Sequence, residues 1–121
     1  MNAKSKILVV DSNRSSLGHL SQQLGQAGYE TLTAASLEEL DRAMQEKEKI
    51  ALVLLDISGF DHDVWQRCEE LSKAKTPCIV IAPQRSPAMQ RETMEHGARG
   101  LLVKPIEFND LMEHIHGVLG D

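Results

Sequence analysis

No apolar run in this sequence approaches the ~20 residues that a membrane-spanning helix needs. Lys and Arg are not in excess either. They number 13 against 18 Asp and Glu, for a formal charge of -5. That balance disfavours direct binding of nucleic acid or of an anionic membrane surface, both of which reward clustered cations. Cysteine is sparse. Cys68 and Cys78 lack the CxxC spacing of a metal or redox motif and read as reduced core thiols. His114 and His116 stand two apart and so face different sides of a helix, and no zinc site is expected. The opening Met1-Asn2-Ala3-Lys4-Ser5-Lys6 leads into an apolar run of only four residues. A secretory h-region needs roughly 7–15, so the cytoplasm is the expected compartment. There is no internal repeat, linker or low-complexity segment, and 121 residues suit one domain, 1–121, with one real core.

What is present is a regular alternation. Ile7-Leu8-Val9-Val10 is a continuous, β-branched-rich run that reads as a parallel strand buried on both faces. Asp11-Ser12-Asn13 are turn and cap formers. Leu17, Leu20 and Leu24 then mark one helix face, closed by Gly28 as a left-handed cap. Tyr29 to Ala34 alternates as a second strand, and Ser36-Leu37-Glu38-Glu39 is a capping box for a helix striped by Leu37, Leu40 and Met44. Ile50 to Leu55 is the most hydrophobic run and the expected central strand, ending at Asp56. A third helix starts near Asp61 or Asp63, with Val64, Cys68 and Leu71 inward. Trp65 reads as a packing residue in preference to a partner contact, and His62 as solvated. Pro77 to Ile81 is a fourth strand, Ser86 to His96 a helix ended by Gly97, and Leu101-Leu102-Val103 a fifth strand. The last helix, from Glu107, has the stripe Phe108, Leu111, Ile115 and Val118. Met89, Met94 and Met112 on the last two helices read as core.

This pattern is (βα)5. Strand–helix alternation forces parallel strands with right-handed crossovers. The expected fold is α/β: a doubly wound five-stranded parallel sheet, order 2-1-3-4-5, in a three-layer α/β/α arrangement. In such sheets a site lies beyond the carboxyl ends of the strands, at the switch point between strands 1 and 3. Asp11 follows strand 1, Asp56 ends strand 3, Ala82-Pro83 ends strand 4, and Lys104 follows strand 5. Two neighbouring carboxylates repel unless a cation lies between them, and oxygen ligands suit Mg²⁺. A lysine opposite can hold phosphoryl oxygens as a point charge. Singly, each has a plainer reading: Asp11 as a turn former or cap, Lys104 as a solvated loop lysine. Their convergence on one sheet edge favours chemistry.

Ile7-Leu8-Val9-Val10-Asp11, Leu54-Leu55-Asp56 followed by Asp63, Gly97-Ala98 and Val103-Lys104-Pro105 occur in this order across the chain. Together they resemble, end to end, the receiver domain of two-component response regulators, with its flavodoxin-like fold. The resemblance implies that a histidine kinase or phosphotransfer protein passes a phosphoryl group to Asp56. Lys104 would contact that group across a cis Lys104-Pro105 bond. Mg²⁺ would be held by Asp11, Asp56 and the backbone carbonyl of Ser58. It further implies signalling to a downstream protein or a fused output domain, no enzymatic activity beyond self-phosphorylation and self-dephosphorylation, and homodimerisation as an option.

The sequence also departs from the family. Ser12 stands where a second acidic residue is usual. One carboxylate fewer costs about 1–4 kcal/mol of attraction, and Mg²⁺ affinity should fall about tenfold or more. Ala82 replaces the Thr or Ser ending strand 4, Pro83 a small residue, Leu101 the aromatic switch, and Gly59-Phe60 a Met-Pro. Two readings follow: an atypical but phosphorylatable receiver, or a phosphorylation-independent pseudo-receiver that serves as a protein-interaction module. A flavodoxin-like flavin protein is a distant third. It would need glycine in the loop after strand 1 and more aromatics than Trp65, Tyr29, Phe60 and Phe108.

Overall fold

The computed structural model describes residues 6–46 and 49–120. The opening residues 1–5, used above in reasoning about a leader, lie outside the described residues. Five strands and five helices alternate. They are β1 (Lys6–Val10), α1 (Arg14–Gln26), β2 (Glu30–Ala34), α2 (Leu37–Gln45), β3 (Leu52–Asp56), α3 (Asp63–Lys73), β4 (Cys78–Ala82), α4 (Pro87–Glu95), β5 (Gly100–Val103) and α5 (Phe108–Leu119). The sheet order is β2-β1-β3-β4-β5, with every neighbouring pair parallel.

Alternation within the buried strands builds two cores. Leu8, Val10, Val53, Leu55, Cys78 and Val80 face α2 and α3, with Met89 of α4 packed against the same cluster. Ile7, Val9, Leu52, Leu54, Ile79 and Ile81 face α1 and α5 through Leu17, Leu24, Leu111 and Ile115. This is why β1, β3 and β4 read as unbroken apolar runs: both of their faces are covered.

Local chemistry sets the helix starts. Asn13, Ser36 and Ser86 accept from the backbone N–H three residues on, at 3.0, 3.1 and 3.0 Å, and so begin α1, α2 and α4. At α2 the Glu39 carboxylate reaches back to the Ala35 N–H at 2.7 Å, one residue earlier than the usual capping box. Gly28 and Gly97 follow α1 and α4 with φ of 100° and 88°, as the sequence predicts.

Some expectations shift. β3 begins at Leu52 rather than Ile50, and β4 at Cys78 rather than Pro77. Pro77 lacks an N–H, and it joins the sheet only through its carbonyl, which accepts from the Val53 N–H at 2.9 Å. Phe108 is not a buried stripe residue but 42% exposed. It is the first residue of α5, and a helical side chain leans toward the N-terminus, here past the end of the covered layer. Met94 is not core but 77% exposed. Met89 and Thr93, four apart, take the inner side of α4, and the next position turns outward. Met112 is half-buried against the α1–α5 core. Cys68 and Cys78 are buried free thiols. Trp65 is buried and stacks on His96 with ring centroids 5.2 Å apart. His62 is exposed.

Candidate phospho-acceptor site

The carboxyl ends of β1, β3 and β5 bring Asp11, Asp56 and Lys104 together. Register does this. Val10 pairs with Leu55, so the residue after β1 stands beside Asp56. The Lys104 N–H donates to the Ala82 carbonyl at 3.0 Å, which extends β5 by one residue and delivers the lysine to the same edge. The Lys104-Pro105 peptide is cis, as the family resemblance implies.

Asp56 is only 2% exposed. One of its oxygens, Oδ2, lies 2.6 Å from Lys104 Nζ, and the other accepts from the Ser58 N–H at 2.9 Å. Asp11, also buried, accepts from the Asn13 N–H at 2.9 Å. It therefore fulfils its plainer turn-forming role as well as standing in the site. Burial pushes the Asp11 carboxyl above its ordinary value. The Asp56 charge pushes the same way, against the Asn13 N–H and the Lys104 ammonium. The site opens into a cleft of about 510 Å³ between α1 and the Lys104-Pro105-Ile106 loop.

Three residues contribute in ways that sequence reasoning missed or undervalued. Ser12, read above only as a lost carboxylate, donates its hydroxyl to the Ser58 carbonyl at 3.0 Å. Gly59 has φ +83°, and a Cβ there would lie 2.3 Å from Ser12 Oγ, so the loop is pressed against Ser12. The Ser58 hydroxyl is buried without a hydrogen-bond partner. Turn-forming Ser-Gly after a strand is the only signal that could have pointed to this loop. Ala82 is buried and offers no hydroxyl, and Leu101 is half-buried against the α2–α3 core.

Among the described residues no three His, Cys, Asp or Glu side chains gather as a metal-ligating group. The oxygens at this edge are the Asp11 and Asp56 carboxylates and the Ser58 carbonyl. An all-oxygen set of this size fits a cation that keeps several waters, as Mg²⁺ does.

The sequence profile of the response regulator receiver domain matches residues 7–116. The chain belongs to that family. It is 31% identical over 115 residues to the transcriptional regulatory protein HprR of Escherichia coli, covering 94% of this chain and 51% of that protein. It is 35% identical over 119 residues to the probable transcriptional regulator ycf27 of Pyropia yezoensis, covering 98% and 49%. The chain thus spans about half the length of these curated relatives. Among solved structures it resembles a CheY-like receiver domain protein from Methanospirillum hungatei, with TM-score 0.85 and 28% identity over 98% of this chain and 95% of that one. Receiver domains are signalling modules of two-component systems rather than enzymes. They interact with histidine kinases and output domains, and typically bind Mg²⁺.

Proposed function

We propose that this chain is a phosphorylatable receiver whose acceptor is Asp56. The observation that carries this reading is the Lys104 ammonium 2.6 Å from the buried carboxylate of Asp56, with Asp11 alongside. A carboxylate at a strand end is a competent nucleophile toward phosphorus when cations screen the transferring oxygens. As an Asp56 oxygen bonds to phosphorus, the phosphorus–nitrogen bond of a donor phosphohistidine breaks and the imidazole leaves. Lys104 can follow the negative charge from the carboxylate to a phosphoryl oxygen. Mg²⁺, when bound, neutralises charge on the transferring group, and Asp11, Asp56 and the Ser58 carbonyl are the oxygens that would hold it, weakly for want of a second acid. In this reading the donor is a cytoplasmic histidine kinase or phosphotransfer protein.

With Ala82 in place of a hydroxyl and Leu101 in place of an aromatic, output cannot run through a Thr–aromatic motion. The loop at residues 57–60 hydrogen-bonds Asp56 through the Ser58 N–H and so can report its state.

One observation favours the pseudo-receiver instead. Lys104 already pairs with Asp56, and Ser12 already satisfies the Ser58 carbonyl, so these acceptors have partners from the chain itself. Acetyl phosphate with Mg²⁺, followed by intact mass, separates the two. One added phosphoryl group in the wild type and none in Asp56→Ala supports the phospho-receiver. No addition in either, even at high Mg²⁺, leaves the interaction module.

A further inference from the structure

The edge around Asp56 is crowded with acceptors: two Asp11 oxygens, two Asp56 oxygens and the Ser58 carbonyl. Each group meets a donor from the chain itself. Lys104 Nζ and the Ser58 N–H serve Asp56, and the Asn13 N–H serves Asp11. The Ser58 carbonyl is served by Ser12 Oγ, across 46 positions of sequence. Without that hydroxyl the carbonyl would lose this donor.

We infer that Ser12 is a positioning residue that straps the β3–α3 loop beside Asp56, giving the acceptor its loop geometry without a divalent cation. A hydroxyl can donate and a carboxylate cannot. An acidic residue at position 12 would add further acceptor oxygens against the Ser58 carbonyl, and the loop would then close only around a cation. A serine removes that dependence. Gly59 shows the same contact from the backbone side. Its left-handed φ and the 2.3 Å approach of a would-be Cβ to Ser12 Oγ show that the loop lies against the serine and not merely within reach of it. The strap stands whether or not Asp56 accepts phosphate.

The test is hydrogen exchange of the Ser58 and Phe60 amides, which donate to Asp56 and to the Ile57 carbonyl, by NMR in EDTA and in Mg²⁺. In the wild type, both amides are already protected in EDTA. Ser12→Ala in EDTA exchanges about fivefold faster at these two amides, the loss expected from one hydrogen bond. Ser12→Thr, which keeps the hydroxyl, stays close to the wild type, and Ser12→Asp becomes slow only with Mg²⁺. Ser12 is exposed, and amides of the central strand β3 serve as the internal check that each variant is folded. A Ser12→Ala profile in EDTA identical to the wild type overturns the inference, and so does a Ser12→Thr profile as fast as the alanine's.

Discussion

At the scale of single residues, Asp56 and Lys104 form an unequal pair. The carboxylate is 2% exposed, while the lysine side chain is 38% exposed. Removing the lysine strands a charge that has little water around it, whereas removing the carboxylate strands one that water can still reach. Lys104→Met should therefore destabilise the fold by about 1–3 kcal/mol. Adding Asp56→Asn should recover most of that loss, because the buried charge and its repulsion from Asp11 both disappear. Urea denaturation of the two single variants and the double decides it, and a neutral Lys104→Met would show that water already screens Asp56. Gly59→Ala should cost about 1–3 kcal/mol through the strained backbone alone, with a further loss from the clash with Ser12. A thermal melt with unchanged midpoint would mean that the loop is free to move away. That Asp11, Asp56 and Lys104 stand together at one sheet edge was legible because strand ends can be read from apolar runs. The donor role of Ser12 was not. A serine two residues before an α-helix carries no mark of a partner in a distant loop.

Among the elements, α2 shows how a short helix is fixed at its start. The Glu39 carboxylate accepts from the Ala35 N–H and lies 3.3 Å from Arg14. The Ala35 N–H, and after it Arg14 and Arg42, hold Glu39 below its ordinary value of 4.5. A carboxylate lowered in the folded state contributes stability above its unfolded value and loses it as pH falls through the lowered folded value. Glu39→Ala should therefore melt below the wild type at neutral pH, and the two midpoints should converge well below the unfolded value of 4.5. A gap that persists unchanged in acid would assign the effect to helix propensity instead. Helix and strand identity was legible throughout, because periods of 3.6 and 2 are written into the apolar positions. Their edges were less so. Pro77 reads as a strand residue by its setting, yet without an N–H it cannot donate to the sheet.

For the molecule as a whole, the five-stranded sheet is a wall between two apolar layers, and β3 stands at its centre. Leu54 is fully buried in the α1–α5 layer, between Val9 on β1 and Ile79 on β4. Leu54→Ala should cost about 2–5 kcal/mol, since neighbours held on rigid strands relax little into the void. Chemical denaturation checks it, and a loss below 1 kcal/mol would mean that α1 and α5 slide in to fill the space. The sequence alone determined the (βα)5 alternation, which with right-handed crossovers made 2-1-3-4-5 the expected sheet order and the carboxyl strand ends the edge where Asp11, Asp56 and Lys104 stand. It could do so because each strand's burial and each helix's stripe are local properties of consecutive residues. Only the tertiary structure decided that Lys104 meets Asp56, that Ser12 closes on Ser58, and that Phe108 and Met94 face outward. Those contacts join residues far apart in the chain or depend on where a layer ends, and it is sheet register and helix placement that set such distances.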